Sequence, residues 1–275
     1  MAGEYMLSSV HTHSKFCDGK NTMEEMAVAA WRAGLKTLGF SGHSHTPCDL
    51  EYCMSPGRTI QYKVEAARLK KQYEGKMDIL YGLEWDLFSD TDPSEYEYFI
   101  GSAHYIHGPK TGKYYEIDWR PADLQACIDD DFDGDGLAVA EAYFANVIKV
   151  IEKKPTILAH FDLIKKINGK GEFFDESDPR YQKAAHEALL AAARSRCVLE
   201  LNTSPVYRGF RDEYYPSNLL LKEWLPLAGN VVITADAHDV TSLTFGFADA
   251  AALLKSYGYE KVLVLGKNGF TPCAL

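Results

Sequence analysis

The chain has no cysteine pair. Its six cysteines, at positions 17, 48, 53, 127, 197 and 273, show neither the C-x-x-C spacing of a redox or zinc motif nor the regular intervals of a disulfide framework. They read as reduced thiols of a cytoplasmic protein, some of them core residues. No apolar run reaches the ~20 residues that crossing a bilayer demands. No basic stretch followed by an apolar one opens the sequence either. Cationic residues are scarce, since 29 Lys and Arg against 39 Asp and Glu leave a net charge of −10. A general nucleic-acid binder is excluded on that ground, because nothing balances phosphate repulsion. A small anionic substrate stays compatible if cations gather in the site, and bound metal ions would supply them. Finally, no glycine-rich turn follows the first apolar segment, which argues against a dinucleotide fold.

What is present is enough for a large core: 46 % apolar residues, with 17 Tyr, 13 Phe and 4 Trp in 275 positions. No internal repeat, low-complexity tract or linker divides the chain, so residues 1–275 are expected to form one domain. Thr22-Met-Glu-Glu25 spells a capping box, and the apolar spacing after it is helical up to Leu35, with Gly34 as the stop. Further helices are expected over 58–74, 137–153, 179–196, 216–227 and 242–257. Between them lie short apolar runs at 37–40, 78–82, 99–103, 156–159, 198–201, 231–235 and 262–265. Such strands alternating with helices imply a parallel sheet buried on both faces. About seven of them favour a closed or distorted barrel over an open doubly wound sheet.

Every candidate for chemistry falls at or just past the C-terminal end of one of these strands. His11, His13 and Asp18 follow the first; His43, Glu84, His104 and His160 follow later ones; Asp236 and His238 come last. A barrel of alternating strands and helices builds its active site there. His11 and His13, two apart on an extended segment, send their rings to one face, and Asp18 is brought round on a turn marked by Gly19. Cys17 is a further candidate ligand, ranked below Asp18. Six of the nine histidines belong to the set. Any one alone would pass for a hydrogen-bonded core or surface residue; the set does not. Imidazole with carboxylate suits Zn, Fe or Mn, and these donors are too many for one ion. Two or three clustered divalent transition metals are expected. Clustered ions turn a bridging water into hydroxide near neutral pH and stabilise developing anionic charge, which points to hydrolysis at phosphorus.

The segments His11-Thr-His13-Ser, Asp18-Gly19, Gly42-His43, Gly82-Leu-Glu84, Gly101-Ser-Ala-His104, Ala159-His160-Phe-Asp162 and Thr234-Ala-Asp236-Ala-His238 resemble, in this order, the PHP (polymerase and histidinol phosphatase) superfamily. Within it, His160-Phe-Asp-Leu-Ile-Lys165, Glu200-Leu-Asn-Thr-Ser204 and Tyr214-Tyr-Pro-Ser217 are similar to the histidinol-phosphate phosphatase branch. The resemblance implies a distorted seven-stranded (β/α)7 TIM-like barrel with the active site at the C-terminal ends of the strands. It assigns His11, His13, Glu84 and Asp236 to one ion, and Glu84 with His104 and His160 to a second. Asp18, His43 and His238 would hold the third. The implied reaction is hydrolysis of L-histidinol phosphate to L-histidinol and phosphate, a step of histidine biosynthesis. A metal-bridging hydroxide would attack, with Asp236 as proton acceptor. A PHP phosphoesterase acting on another small monoester or a nucleotide, with different pocket loops over 44–57, 105–135 and 205–217, is the alternative. A weakly catalytic metal-binding module is a third reading.

One position departs from the family pattern. The second motif usually carries an acidic residue before its histidine, and here Gly42 stands there. Without an orienting carboxylate the third metal site is expected to be looser. His45 is then a candidate ligand or substrate contact. The phosphate should also meet cationic side chains: Arg208 first, as a catalytic and substrate-binding residue, with Arg211, Lys165 and Lys166 as rivals. Asp131-Phe-Asp133-Gly-Asp135-Gly136 imitates the start of a calcium loop, but Ala142 stands where a bidentate Glu is required, and no helix is expected before it. An acidic surface loop is the expectation.

Overall fold

Capping chemistry starts the first helix where the sequence places it, in a computed structural model that describes residues 7–275. Thr22 accepts the Glu25 N–H, and Glu25 accepts the Thr22 N–H in return, at the head of α1 (Met23–Arg32). Gly34, at φ 84°, takes the left-handed turn that leads away from it. In chain order the strands are β1 (Ser8–Ser9), β2 (Thr37–Phe40), β3 (Asp78–Asp86), β4 (Tyr98–Ser102), β5 (Tyr105–His107), β6 (Tyr114–Glu116), β7 (Ile157–Leu158), β8 (Leu199–Asn202), β9 (Val231–Thr234), β10 (Lys261–Gly266) and β11 (Gly269–Ala274). The later helices are α2 (Pro56–Gln72), α3 (Pro121–Asp131), α4 (Gly136–Glu152), α5 (Pro179–Arg194), α6 (Ser204–Tyr207), α7 (Asn218–Leu227) and α8 (Phe247–Ser256).

Seven strands, in the order β1-β2-β3-β4-β7-β8-β9, form one parallel sheet nearly closed into a barrel. Its seam is stitched just past β1 and β9. There the Ala237 N–H donates to the His11 carbonyl (2.9 Å) and the His13 N–H to the Ala237 carbonyl (2.8 Å). Side chains alternate along each strand. On β3, Ile79, Tyr81, Leu83 and Trp85 join the outer core beneath the helices. Leu80 instead packs inside with Val10, Tyr98, Ile100, Ile157, Val198 and Val232. The inward row of β3 then continues through Gly82 to Glu84, so it is apolar low in the barrel and acidic at its mouth.

Tyr98 fills the middle. Its hydroxyl reaches the carbonyls of Val10 (2.6 Å) and Phe40 (3.0 Å). Only glycine leaves it room: a Cβ on Gly82 would lie 2.2 Å from the ring, and one on Gly39 2.4 Å from the hydroxyl.

Two expectations are corrected. Residues 262–265 do form a strand, but β10 pairs antiparallel with β11 rather than continuing the series. This hairpin plugs the base of the barrel: Leu265 packs into the inner cluster, and Ser8 Oγ donates to the Leu265 carbonyl (2.8 Å). Gly269, at φ 94°, makes the tight reversal possible. Helix α3, unexpected from its sparse apolar positions, precedes the calcium-like loop. The acids of that loop are engaged otherwise. Asp131 accepts from the Lys110 and Thr111 N–H groups (2.6 and 2.9 Å) and from the Tyr115 hydroxyl (2.7 Å), while Asp135 caps α4 at Ala138 (3.1 Å).

Gly82→Ala is expected to destabilise the fold by about 1–3 kcal/mol, the range for overpacked cores. Urea unfolding measures it, and an unchanged midpoint would refute the close packing around Tyr98.

Candidate metal centre

Glu84 stands at the centre of the barrel mouth, and its two oxygens face different ways. Oε2 lies 3.1 Å from His11 Nε2, 3.3 Å from His13 Nε2 and 3.2 Å from His43 Nδ1. Oε1 lies 3.0 Å from His160 Nε2 and 3.3 Å from His104 Nε2. Asp236 Oδ1 adds itself to the first side, 3.1 Å from His13 Nε2 and 3.5 Å from His11 Nε2. Asp18 forms a further corner, with His238 Nε2 at 2.9 Å and His43 Nε2 at 3.7 Å. Three groups bring their donor atoms within 4.8 Å of one another: His13, Asp18, His43 and His238; His11, His13 and Asp236; His43, Glu84 and His104. The nine side chains singled out at strand ends thus converge.

The donor set fits divalent transition metals. His13 Nε2 and Asp18 Oδ1 are buried without a hydrogen-bond partner among the described residues. Metal-ligand atoms left so are satisfied by a cation. The electrostatics say the same. Burial lowers the affinity of His11 for a proton, yet the carboxylates of Glu200, Asp236 and Glu84 outweigh it and lift the ring to about 10. Burial would raise Glu84, but His43 and His11 hold it well below the usual carboxylate range. Asp18 and Asp236 are held low in the same way, chiefly by His238 and His11 respectively. Burial drops His43 to about 4. The acids demand positive charge here, and protons on imidazole supply it when metal does not.

Other carboxylates behind the rings fix which nitrogen is free. Glu200 Oε1 accepts from His11 Nδ1 (2.5 Å) and the Thr234 hydroxyl (2.7 Å), which pins the Nδ1 proton and makes Nε2, facing Glu84, the nitrogen that a metal would take in place of a proton. Asp86 Oδ2 accepts from the His104 N–H (2.9 Å) and lies 3.2 Å from its Nδ1. Both acids follow from alternation: Asp86 is two residues past Glu84 on β3, and Glu200, on β8, is two past the inward Val198 that precedes the strand.

A profile of the PHP domain matches residues 9–204. The chain belongs to the PHP-domain family. It is 27 % identical over 271 residues to the "Probable histidinol-phosphatase" of Deinococcus radiodurans, covering 93 % of this chain and 95 % of that one. It is 24 % identical over 264 residues to the histidinol-phosphatase of Bacillus subtilis, covering 86 % of this chain and 95 % of that one. Its fold is similar to that of the histidinol phosphate phosphatase of Lactococcus lactis, solved in complex with Zn, L-histidinol and phosphate. The TM-score is 0.71 at 17 % identity, over 97 % of this chain and 99 % of that one.

In this PHP domain the cluster of candidate ligands forms the floor of a cavity walled by the three loop segments singled out in sequence. They contribute, among others, Tyr52, Glu116, Asp118, Trp119, Arg208 and Tyr215. Arg208 donates to His238 Nδ1. Lys166 lines the cavity and pairs with Asp118 (2.8 Å). The other three candidates lie elsewhere. Lys165 is fully buried, its ammonium between Asp162 (3.0 Å) and Glu213 (2.9 Å). Arg211 forks onto Glu176, with both distances 3.0 Å. His45 binds Asp90 (2.8 Å) and takes no place in the cavity wall. Each found a carboxylate that no local pattern announces.

At Gly42, where the sequence lacks the usual acid, His43 is flanked by backbone bonds. A Cβ there would meet Cys17 Sγ and Met54 Sδ at 3.3 Å, so a side chain at this position requires those two to shift by a few tenths of an ångström. His43 is held instead by ladder bonds on either side, from Glu84 N–H to the Gly42 carbonyl (3.1 Å) and from Ser44 N–H to the Glu84 carbonyl (2.9 Å).

Because His11 keeps its proton up to about pH 10, metal must displace it, and acid favours the proton. Zn(II) affinity of metal-stripped protein should rise with pH between 6 and 9, by about tenfold per unit for each proton displaced. Competition titration measures this; a flat profile contradicts it. Glu84→Gln should lower bound metal by at least one ion per chain in elemental analysis.

Proposed function

We propose that this PHP domain, spanning the whole chain, hydrolyses a small phosphate monoester, L-histidinol phosphate, to L-histidinol and phosphate. Two or three divalent transition metals (Zn, Fe or Mn) assist, and the protein works in the cytoplasm. The observation that carries it is the split of Glu84 between two sets of imidazoles, the arrangement that a carboxylate shared by two ions requires. His11, His13, Glu84 and Asp236 would hold one ion, Glu84, His104 and His160 a second, and Asp18, His43 and His238 a third. Such ions supply Lewis acidity and a bound water acidified to near neutral pH. Relatives named histidinol-phosphatase over nearly their full length support the substrate.

Asp236 accepts the proton. Its Oδ2 receives the Asn202 amide (3.3 Å) and the Ser204 hydroxyl (3.2 Å), which aims Oδ1 at His11, His13 and His238. Its φ of 45°, unusual for a residue with a Cβ, marks the turn that brings it there.

Arg208 binds the phosphate, and the tautomer of His238 decides when. His238 Nδ1 is within reach of both the Arg208 guanidinium and the Asp236 carbonyl (2.9 Å). With Arg208 donating to Nδ1, the single proton of the neutral ring sits on Nε2, which cannot then ligate an ion beside Asp18. For Nε2 to ligate an ion, Nδ1 would have to carry the proton and donate a hydrogen bond to the Asp236 carbonyl, which releases Arg208.

The opposite wall suits a cationic leaving alcohol. Glu116 is pushed up to about 8 by burial first and then by Asp118 and Asp49, so a nearby cation relieves it. Tyr52 and Trp119, with ring centroids 5.3 Å apart, offer flat faces for an imidazole.

Phosphate release should favour histidinol phosphate over sugar phosphates and AMP; comparable turnover of these would overturn the assignment. Arg208→Ala should lower kcat/KM by on the order of 30-fold, or ~2 kcal/mol of transition-state binding. Glu116→Gln should raise KM for histidinol phosphate about tenfold and leave p-nitrophenyl phosphate unaffected.

A further inference from the structure

We propose that the Tyr215 hydroxyl is a substrate contact, donating a hydrogen bond to an oxygen of the bound phosphate ester and lacking a partner until substrate arrives. Tyr215 is 2 % exposed and lines the cavity alongside His160, Leu163 and Lys166. Among the described residues its O–H meets no hydrogen-bond partner. A buried hydroxyl in that state carries the full cost of the water it lost on folding, and native structures rarely leave one so.

The rest of the residue is pinned. Its N–H donates to the Asn202 carbonyl (3.1 Å), and its own carbonyl accepts from the Asn202 N–H (2.8 Å). Directly opposed residues of an antiparallel pair send their side chains to the same face. The Asn202 amide already faces the metal centre, donating to Glu200 (3.1 Å) and Asp236 (3.3 Å). Lys165 Nζ lies 5.5 Å from the centre of the Tyr215 ring and is itself clamped by Asp162 and Glu213. The ring is therefore held in place at the cavity wall. Burial foremost, then the charges of Asp162 and Asp118, hold the phenol well above its ordinary value, so it stays a neutral donor. A neutral O–H suits an oxygen acceptor, and the other donors nearby are engaged in the resting protein: Lys166 on Asp118, Arg208 on His238.

The inference rests on the site being a phosphomonoesterase, and Tyr215→Phe tests it with metal-loaded protein. The substitution removes no bond within the protein and deletes an unpaired polar atom. Thermal stability should therefore be unchanged or higher and metal content unchanged, while kcat/KM for histidinol phosphate falls on the order of ten- to hundredfold. If inhibition by inorganic phosphate weakens by a similar factor, the contact is to a phosphoryl oxygen. If it does not, and the defect shrinks with p-nitrophenyl phosphate, the contact is to the ester oxygen. Either result supports the proposal. A kcat/KM within twofold of the unaltered protein overturns it. So does a lower Tm, which would show the hydroxyl tied down in the resting state. Should the unaltered protein hydrolyse no monoester, the functional reading fails by itself. Calorimetric binding of inorganic phosphate then decides Tyr215: weaker binding in the variant supports the contact and equal binding overturns it.

Discussion

A carboxylate buried among imidazoles, Glu84, is the constraint on which the barrel mouth depends. At 1 % exposure it is removed from water, and a lone charge there would cost several kcal/mol. Five histidines around it, each within 3.3 Å, make it tolerable. They come from four different strand ends, His11 and His13 sharing one, so the arrangement exists only when the strands are in register. Parallel pairing supplies that register. His43 is bridged to Glu84 by backbone, and Ala237 ties the start of the barrel to its end between His11 and His13. Folding and charge compensation are thus one event at this site.

The inner face of the barrel changes character with height. Leu80, Val198 and Val232 make the lower layer, and two or four residues further along the same strands come Glu84, Glu200 and Asp236. Tyr98 marks the boundary, apolar in its ring and polar at its tip, filling the space that Gly39 and Gly82 leave. A dry, packed base lets the layer above hold ionised groups whose only compensation is one another. The β10–β11 hairpin, which takes no part in the main sheet, contributes by shutting the lower end with Leu265.

The side chains that converge at the barrel mouth were legible in the sequence because each depends on local facts: a short apolar strand, then a histidine or acid at its end. His11, Glu84 and His160 need nothing else to be placed, given the barrel. Residues whose roles are set by distant partners were not legible. Lys165, Arg211 and His45 each sit a few positions from residues that line the cavity, yet Glu213, Glu176 and Asp90 claim them across 48, 35 and 45 residues of sequence. Lys166 and Lys165 are adjacent, and only the turn between Asp162 and Asn168 decides which one faces the cavity. The Gly42 departure was legible as a difference but not in its consequence, since the ladder bonds that steady His43 involve backbone alone.

An acidic protein that handles a phosphate ester has to reverse its sign locally. With a net charge of −10 the surface repels the substrate at long range, and screening confines that repulsion to about 8 Å at physiological salt. Inside the cavity the poles are separated. Arg208 and the ligand cluster form one end, where metal would concentrate positive charge; Glu116 and Asp118 form the other. A phosphate monoester with a cationic leaving group matches both poles at once, whereas a sugar phosphate or a nucleotide brings nothing positive to the acidic wall. Lys166 sharpens the contrast, because by neutralising Asp118 it leaves Glu116 as the acid still short of a partner. Discrimination in this pocket therefore lies in the leaving group, while the phosphate is common to every competitor and can only set the overall affinity.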